Sequence, residues 1–418
     1  MQGTSRPPAR SDEPEWLGVD EARAAILGVV EPVRGWESAP VRGAFERVLA
    51  RSVVAPFDVP VHDNSAMDGY AVRAADLHPD VSAHLTVVGT ALAGSAFSGV
   101  IGPGRAVRVM TGAVLPRGTD TVVIQEIVQR TGDEVVVPPG QRAGQNVRRA
   151  GEDLARESVA LSRGKRLAAA DVGLLASLGI AEVAVYRRPR VVFFSTGDEL
   201  ASIGRPLAPG EVYDSNRYTL HCALQRLNVQ AIDMGVVRDD PGELEAAFRD
   251  AATQADAVIT TGGVSVGDAD QVRPVMARVG EMRFWRIQIK PGRPMAFGRI
   301  GAACVFGLPG NPVAVLVAFY QFVADALRRL GGEDPLPAHP ILRVPCATAL
   351  RRERGRREYL RGELFEADGR WQVRPAPHQG SGVLRSMSVS NCFIVLPESG
   401  GEVAPGDLVH VQPFEGLP

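Results

Sequence analysis

The sequence has little cysteine, and its cysteines are far apart. The four cysteines among its 418 residues are Cys222, Cys304, Cys346 and Cys392, and no two of them form a Cys-x-x-Cys pair. This spacing indicates neither a zinc site nor a disulfide framework. We therefore expect reduced thiols and a cytoplasmic protein.

Long hydrophobic runs are also missing. The longest apolar run, at 313–319, is far shorter than the roughly 20 residues that cross a membrane as a helix. Residues 1–15 are polar and rich in proline, arginine and glutamate, which is typical of a disordered tail rather than a signal peptide. The sequence predicts a soluble protein with no membrane partner.

An excess of charge of one sign is lacking as well. The 46 lysines and arginines nearly cancel the 48 aspartates and glutamates, so the formal net charge is −2. A chain without basic excess is a poor non-specific nucleic-acid binder, and we expect no nucleic-acid partner. Small anionic ligands remain compatible with this balance, because local clusters of basic residues bind them.

The order of predicted elements divides the chain into several domains, as its length also predicts. Alternating strands and helices from residue 190 onward predict a doubly wound parallel sheet with helices on both faces. Short strands broken by glycine and proline occupy much of the chain before it, and a β-type segment follows it. The predicted parts are a disordered tail at 1–15, a discontinuous N-terminal domain at 16–52 and 146–187, an inserted β-rich domain at 53–145, an α/β domain at 188–333 and a C-terminal β domain at 334–418.

Two adjacent carboxylates, Asp198 and Glu199, follow the predicted strand at 190–194. Parallel sheets bind ligands beyond the carboxyl ends of their strands, so this position is a candidate site. The pair suits Mg²⁺, or the two groups repel each other until one takes up a proton. Helix capping by Asp198 is an equally good interpretation of these residues alone.

A glycine-rich loop follows the predicted strand at 257–261. Gly262 and Gly263 allow the main chain to approach a ligand and to point N–H groups at a phosphate. Asp268 and Asp270 in the same loop suit a hard cation such as Mg²⁺. A plain turn is the alternative, but it needs no pair of aspartates.

Basic residues surround a Pro-Gly turn further along the chain. Lys290 and Arg293 flank Pro291-Gly292, and Arg286 stands just before them. Two prolines stiffen this segment, which predicts an anion site. Ordinary surface charge is the alternative interpretation.

A helix start at Gly310-Asn311-Pro312 is the last candidate in this half of the chain. Asn311 suits the N-cap and Pro312 the first helical position, which leaves N–H groups free to meet an anion. Any helix start can use the same two residues. The preceding Gly-Leu-Pro segment is what favours a close approach to a ligand.

With these pieces in this order, the sequence resembles the molybdopterin molybdenumtransferase family, the bacterial MoeA type that is related to the E domain of gephyrin. The resemblance covers about residues 16–412. It rests on seven segments that stand in the family's order: DNSAMDGYAV, MTGA, GQNVRRAGED, STGDEL, GGVSVGDAD, KPGRPMAFG and GLPGNPV.

The resemblance implies an elongated homodimer whose chains each have a discontinuous helical and β N-terminal region, a doubly wound molybdopterin-binding domain and a C-terminal β-barrel. It implies that molybdate and adenylyl-molybdopterin react to give molybdenum cofactor and AMP, with Mg²⁺, and that other proteins of cofactor synthesis are possible partners. The catalytic positions carried over are Asp68, Thr111, Asp153, Glu199, Asp239, Asp270 and Lys290. Substrate would be bound by Gly262, Gly263, Ser265, Arg293, Pro294, Gly310, Asn311, Pro312, Arg361 and Ser381, with molybdate at Arg293, Pro294, Arg361 and Ser381. The metal ligands would be Asp268, Asp270 and Glu199.

The chain departs from the resemblance at two positions. Many relatives have lysine at the position of Arg293, and many have serine or threonine at that of Ala314. Two other functions share part of the pattern: a molybdopterin adenylyltransferase, which consists essentially of the doubly wound domain, and a scaffold like gephyrin. The segments at 16–186 and 335–418 argue against the first. The acidic loops, the cations and the GLPGNP segment argue against the second, because a scaffold would not need them.

Overall fold

The computed structural model describes residues 15–264 and 271–414. Within these ranges the chain forms three larger sheets, each with its own apolar core, and several two-stranded ladders. No helix in this part of the chain is long and apolar enough to cross a membrane.

The N-terminal half contains mostly short strands, as the glycine and proline pattern predicts. A mixed sheet with the strand order β8-β5-β7-β6-β10-β9 forms the inserted β-rich part. The elements are β1 (Glu15–Leu17), α1 (Val19–Leu27), β2 (Trp36–Pro40), β3 (Val53–Val54), β4 (Asn64–Ser65), β5 (Gly69–Val72), β6 (Ala83–Ala91), β7 (Arg105–Val109), β8 (Thr121–Ile124), β9 (Gln129–Thr131), β10 (Glu134–Val137), β11 (Val147–Arg148), β12 (Val159–Leu161), α2 (Ala169–Ser177) and β13 (Glu182–Tyr186). Short 3₁₀ turns lie at Val41–Gly43, Ala74–Asp76 and Gln125–Ile127.

Segments before and after the inserted part fold together, which confirms the predicted discontinuous N-terminal region. Strand β2 pairs antiparallel with β13, and β3 pairs with β12. Leu49 from the first segment is buried in the same core as Leu167 and Leu175 from the second. The exact boundaries at residues 52, 146 and 187 stay predictions.

Residues 15–27 pack against the α/β domain rather than against this N-terminal core. Strand β1 extends the central sheet by parallel pairing, with Leu17 opposite Ile287. Helix α1 buries Ala22 and Ile26 in the core of the central sheet. An apolar stripe on a single short helix must be covered by another element, and sequence order alone does not say which one covers it.

The central sheet has the strand order β1-β19-β21-β22-β18-β14-β17, and only β21 runs antiparallel to the rest. Helices α1, α3, α6 and α7 cover one face, and α4 and α5 cover the other, which confirms the doubly wound arrangement. The elements are β14 (Arg190–Thr196), β15 (Leu200–Ala201), β16 (Val212–Tyr213), α3 (Asn216–Gln225), β17 (Gln230–Val237), α4 (Pro241–Gln254), β18 (Ala257–Thr261), α5 (Val272–Val279), β19 (Glu281–Ile287), β20 (Ile289–Lys290), β21 (Pro294–Ile300), β22 (Ala303–Leu308), α6 (Pro312–Ala318) and α7 (Ala324–Leu330). A π-helical turn at Phe319–Val323 joins α6 to α7.

The C-terminal sheet curls into a small barrel, as the resemblance implies. Strand β26 pairs with β25, and a bridge from Val373 to Cys346, next to β23, brings the two ends of the sheet together. The elements are β23 (Leu342–Pro345), β24 (Leu350–Arg352), β25 (Arg357–Ala367), β26 (Arg370–Pro375), α8 (Arg385–Ser388), β27 (Cys392–Leu396), β28 (Gly401–Val403) and β29 (Leu408–Pro413).

One strand connects the barrel to the central domain. Strand β20 follows β19 of the central sheet in the chain but pairs parallel with β25 of the barrel, with Lys290 opposite Glu358. The Pro-Gly turn after Lys290 therefore lies at the junction of the two domains.

Candidate functional site

A cavity of about 1000 Å³ lies where the central sheet meets the barrel. The loops after four parallel strands, β14, β17, β18 and β22, open into it. The turn at 290–294 and the barrel segment at 379–382 close its sides. Its lining therefore includes residues from loops that the sequence singled out as separate candidates. Among the sites named from the sequence, these are Glu199, Asp239, Gly262, Gly263, Lys290, Arg293, Pro294, Gly310, Asn311, Pro312 and Ser381.

Main chain forms the floor of this cavity. Gly262 has a φ of +92°, and a Cβ there would lie 2.5 Å from the carbonyl oxygen of Thr196. A Cβ on Gly310 would lie 3.7 Å from the Cα of Gly262, so the two loops touch through their main chains. The predicted close approach of glycine loops is thus present, and it leaves room for a ligand.

Carboxylates occupy one edge of the cavity. Asp198 and Glu199 follow β14, and Asp239 follows β17, where its N–H donates to Asp198 Oδ1 at 3.3 Å. Burial, and then the charges of Asp198 and Glu199, raise the pKa of Asp239. Across 15–264 and 271–414, no three His, Cys, Asp or Glu side chains are placed to hold a metal ion.

Three predicted residues of the glycine-rich loop, Ser265, Asp268 and Asp270, lie outside the described residues. The hypothesis that Asp268 and Asp270 bind Mg²⁺ therefore stays a prediction.

The basic side of the cavity holds two cations with different surroundings. Lys290 Nζ is 3.1 Å from Glu353 Oε1 and 3.3 Å from Glu358 Oε2. Its hydrogen bond lowers the pKa of Glu353. Arg293 is exposed, and its guanidinium has no partner in the part of the chain that the structure describes. Arg293 is thus the cation that is free to bind an anion.

The sequence predicted that Arg286 lies beside Lys290 and Arg293, but in the structure it lies beside Trp16. Its guanidinium carbon lies 5.7 Å from the ring centre of Trp16, and Arg286 does not line the cavity. The prediction is wrong because Arg286 belongs to strand β19, and strand β1 brings an aromatic ring beside it.

The start of helix α6 faces the same space. Pro312 occupies the first turn, as predicted, and Asn311 has N-cap backbone angles but makes no capping hydrogen bond. The N–H of Val313 instead donates to the carbonyl oxygen of Ser381 at 3.1 Å. This contact fixes the barrel segment against the helix start.

Arg361 is fully buried behind the cavity wall rather than exposed in it. Its guanidinium donates to Ser386 Oγ at 3.0 Å and to the carbonyl oxygens of Gly380 at 3.1 Å and His378 at 3.4 Å. Burial lowers its pKa to about 10. In this structure Arg361 contacts the segment that lines the cavity, and Ser381 of that segment does line it.

Three predicted positions of the N-terminal half do not line the cavity. Asp68 accepts hydrogen bonds from the N–H of Thr111 at 2.7 Å and from its Oγ1 at 2.8 Å. The main-chain bond is the main reason why the pKa of Asp68 is lowered. Asp153 is exposed on a loop of the same half. The structure brings Asp68 and Thr111 together, but not to the cavity of the same chain.

Sequence reasoning missed a polar corner of the cavity at 214–216. Asn216 Nδ2 donates to the carbonyl oxygen of Gly310 at 2.8 Å, and Asp214 is buried beside Arg217. The only available signal was a short polar run, Asp-Ser-Asn, at the beginning of the helix that the sequence predicts at 215–227. Helix capping explains such a run equally well.

Together, the fold and the cavity define a multidomain α/β protein with a cleft suited to a large, anionic ligand. Three family profiles match most of the chain: the MoeA N-terminal region (domain I and II) at 17–179, a probable molybdopterin binding domain at 192–329, and the MoeA C-terminal region (domain IV) at 343–414. The solved structure of a molybdopterin biosynthesis MoeA protein from Pyrococcus horikoshii superposes with a TM-score of 0.82 at 29% identity, covering 96% of this chain and 100% of that one.

Curated relatives agree with these matches. A molybdopterin molybdenumtransferase of Haemophilus influenzae is 41% identical over 403 residues, which are 96% of this chain and 99% of the relative. One from a Nostoc species is 37% identical over 359 residues, 84% of this chain and 82% of the relative. The chain belongs to the molybdopterin molybdenumtransferase family.

The raised pKa of Asp239 at the carboxylate edge leads to a prediction about the free energy of unfolding. Because the pKa of Asp239 is raised, folding favours its protonated form, and this contribution is lost as the pH rises through the raised pKa. We expect Asp239→Asn to be more stable than the wild type at neutral pH, by less than about 1 kcal/mol because solvent screens a partly exposed group. The gain should disappear below about pH 4, where the wild-type carboxyl group is protonated. Urea unfolding at both pH values measures it, and a loss of stability at neutral pH would contradict it.

Proposed function

We propose that this chain inserts molybdate into adenylyl-molybdopterin and releases molybdenum cofactor and AMP. The observation that carries the proposal is the single cavity in which a glycine-lined floor, a free arginine, a helix start and a carboxylate edge meet. The names of the relatives support the same reaction. We also infer a cytoplasmic location and contact with other proteins of cofactor synthesis.

The parts of the cavity suit the parts of this substrate. The main-chain N–H groups of Gly263 and Gly310 would fit the pyrophosphate bridge, because peptide dipoles stabilise phosphate without a counter-charge. The N–H of Gly262 is already used, since it donates to the carbonyl oxygen of Leu308 at 3.2 Å. Arg293, Pro294 and Ser381 would surround molybdate, with Arg361 behind them. The dithiolene of the pterin supplies the sulfur ligands of molybdenum, so cysteines of the protein are not needed.

The first test is the reaction itself. We expect purified protein to release AMP from adenylyl-molybdopterin only when molybdate is present, because the adenylate leaves as the metal is inserted. An adenylyltransferase would instead consume ATP, and a scaffold would do neither. Release of AMP at the same rate without molybdate would contradict the proposal.

Mg²⁺ is part of the proposal. Asp239 lies directly beside Asp198, next to Glu199, so three carboxylates crowd one edge of the cavity, and a divalent cation would relieve their repulsion. We infer that Asp268, Asp270 and Glu199 would hold Mg²⁺. The ion would lower the repulsion between the carboxylates and the substrate pyrophosphate.

Asp268→Asn tests the metal site. We expect this variant to keep its fold and its unfolding midpoint but to need at least about tenfold more Mg²⁺, because a charged oxygen ligand is lost. A magnesium titration of both activity and binding by calorimetry measures the change, with Asp250→Asn on the exposed side of α4 as the matched control. An unchanged Mg²⁺ requirement in Asp268→Asn would refute the assignment.

Arg293 provides a test of molybdate binding. Removing its paired charge-assisted hydrogen bonds, worth roughly 1.5–3 kcal/mol each, should raise the molybdate requirement of Arg293→Ala by at least about a hundredfold. Arg293→Lys keeps the charge and should lose much less. The requirement for the adenylated pterin should change little in both variants. Equal losses for the two substrates in Arg293→Ala would mean that Arg293 shapes the turn instead of binding the oxyanion.

We further propose a homodimer in which each cavity is completed by the other copy. Asp68 and Thr111 do not line the cavity of their own chain, so they can act on the same substrate only from a second copy. Cyclic dimers are the commonest closed assembly, which agrees with this arrangement.

Mixed dimers test the arrangement. Asp68→Ala and Lys290→Ala should each inactivate a pure dimer. When the two are co-expressed with different tags and the mixed dimer is purified, one complete site should form per dimer and restore about half of the wild-type activity. Sedimentation showing only a monomer, or a mixed dimer without activity, would refute the proposal.

A further inference from the structure

The charge of Arg361 has an unusual setting. Its side chain is 1% exposed, yet its hydrogen bonds go to neutral groups, two carbonyl oxygens and one hydroxyl. In the part of the chain that the structure describes, no carboxylate forms an ion pair with it. Burying a charge without a counter-ion lowers the free energy of unfolding, so a functional role of Arg361 would explain why this arrangement is kept.

Gln379 ties the main chain of Arg361 to the cavity wall. The N–H of Arg361 donates to Gln379 Oε1 at 3.0 Å, and Gln379 Nε2 donates to the carbonyl oxygens of Arg361 at 2.9 Å and Ala376 at 2.8 Å. The pairing of β25 with β26 ends at Gly362 and Pro375. The amide of Gln379 therefore continues the ladder by one step and fixes the segment that follows.

The carbonyl oxygens of residues 380–382 all accept hydrogen bonds from donors of the protein. The carbonyl oxygen of Gly380 accepts from the guanidinium of Arg361 and also from the N–H of Val383, the latter at 3.2 Å. The carbonyl oxygen of Ser381 accepts from Val313 at 3.1 Å, and that of Gly382 accepts from Leu384 at 3.1 Å. Three successive carbonyl oxygens are thus satisfied by protein donors.

The N–H groups of the same three residues are left over. Among residues 15–264 and 271–414, the main-chain N–H groups of Gly380, Ser381 and Gly382 have no acceptor. Main-chain donors are almost always paired with protein or solvent, and successive free donors form nests that bind anions. Since residues 379–382 line the cavity, these donors lie at its wall, with the charge of Arg361 directly behind them.

We propose that Gln379 and Ser386 are positioning residues that shape 380–382 into a main-chain nest for the oxyanion substrate. Arg361 acts through this segment: it holds the carbonyl oxygens of His378 and Gly380 away from the cavity, and Ser386 holds the guanidinium. The hydroxyl of Ser386 is itself fixed by donation to the carbonyl oxygen of Val383 at 2.7 Å. The inference rests on the proposed function, because molybdate is the oxyanion that it assigns to the nest.

The test compares two variants with two matched controls. Gln379→Ala removes the three hydrogen bonds of the amide, and Ser386→Ala removes the acceptor of Arg361 Nε. The controls are Gln372→Ala on β26 and Ser388→Ala on α8, whose side chains make no hydrogen bond in the described residues. Two quantities are measured: the dissociation constant of molybdate by equilibrium dialysis without the pterin, and the KM values of molybdate and of adenylyl-molybdopterin.

We expect both variants to bind molybdate about tenfold more weakly and to raise its KM similarly, while the KM of the pterin stays within about twofold. The controls should match the wild type. If Ser386→Ala fails to unfold cooperatively, Gln379→Glu is used in its place. This variant keeps the acceptor for the N–H of Arg361, loses both N–H donors of the amide and adds a negative charge at the cavity wall. It should weaken molybdate more than Gln379→Ala does.

Failure of this inference can be told from failure of the proposed function. If the wild type neither binds molybdate nor releases AMP, the proposed function is wrong. If the wild type does both, and the variants bind molybdate as the controls do, the positioning roles are wrong. Equal losses for molybdate and the pterin would also overturn them, because a general loosening of the barrel would then be the cause.

Discussion

The cavity depends on one main-chain contact, that of Gly262 with Thr196. At this position the loops after two neighbouring parallel strands meet with only 2.5 Å between the carbonyl oxygen and the place of a Cβ, so a side chain would force them apart. Gly310 approaches from the next strand along, and the start of α6 follows it. With no side chains between them, three loops present main-chain groups to one space, which is the geometry that a pyrophosphate needs.

Charges are then distributed around this neutral floor. Lys290 is held by Glu353 and Glu358, so its position is fixed but part of its charge is already balanced. Arg293 has no such partner and is exposed. The carboxylates of Asp198, Glu199 and Asp239 lie at another edge, where burial, and then the charges of the other two, raise the pKa of Asp239. A ligand that brings anionic groups to the basic side and a cation to the acidic edge would relieve both.

The sequence was sufficient for those parts of the site that depend on local order. Glycine loops after predicted strands, Pro312 in the first helical turn and the basic turn at 290–294 could be placed in one cavity because the carboxyl ends of parallel strands share an edge. Arg286 and Arg361 could not be placed, since the direction of each side chain is set by a distant strand or loop. The same holds for strand β1, whose three residues carry too little pattern to show which sheet they join.

Contacts between the domains are what make the site composite. Strand β20 places Lys290 in the barrel sheet, beside strand β25. On β25, Arg357 forms a bidentate ion pair with Asp20 of helix α1. Buried polar groups strengthen the same junction, where Gln321 of the π-helical turn donates to Gln412 of β29 at 2.9 Å. These long-range bonds fix the barrel relative to the central sheet, and only in that position does the segment at 379–382 reach the start of α6. The barrel is therefore a wall of the cavity, and the doubly wound domain alone would leave that side of the cavity open to solvent.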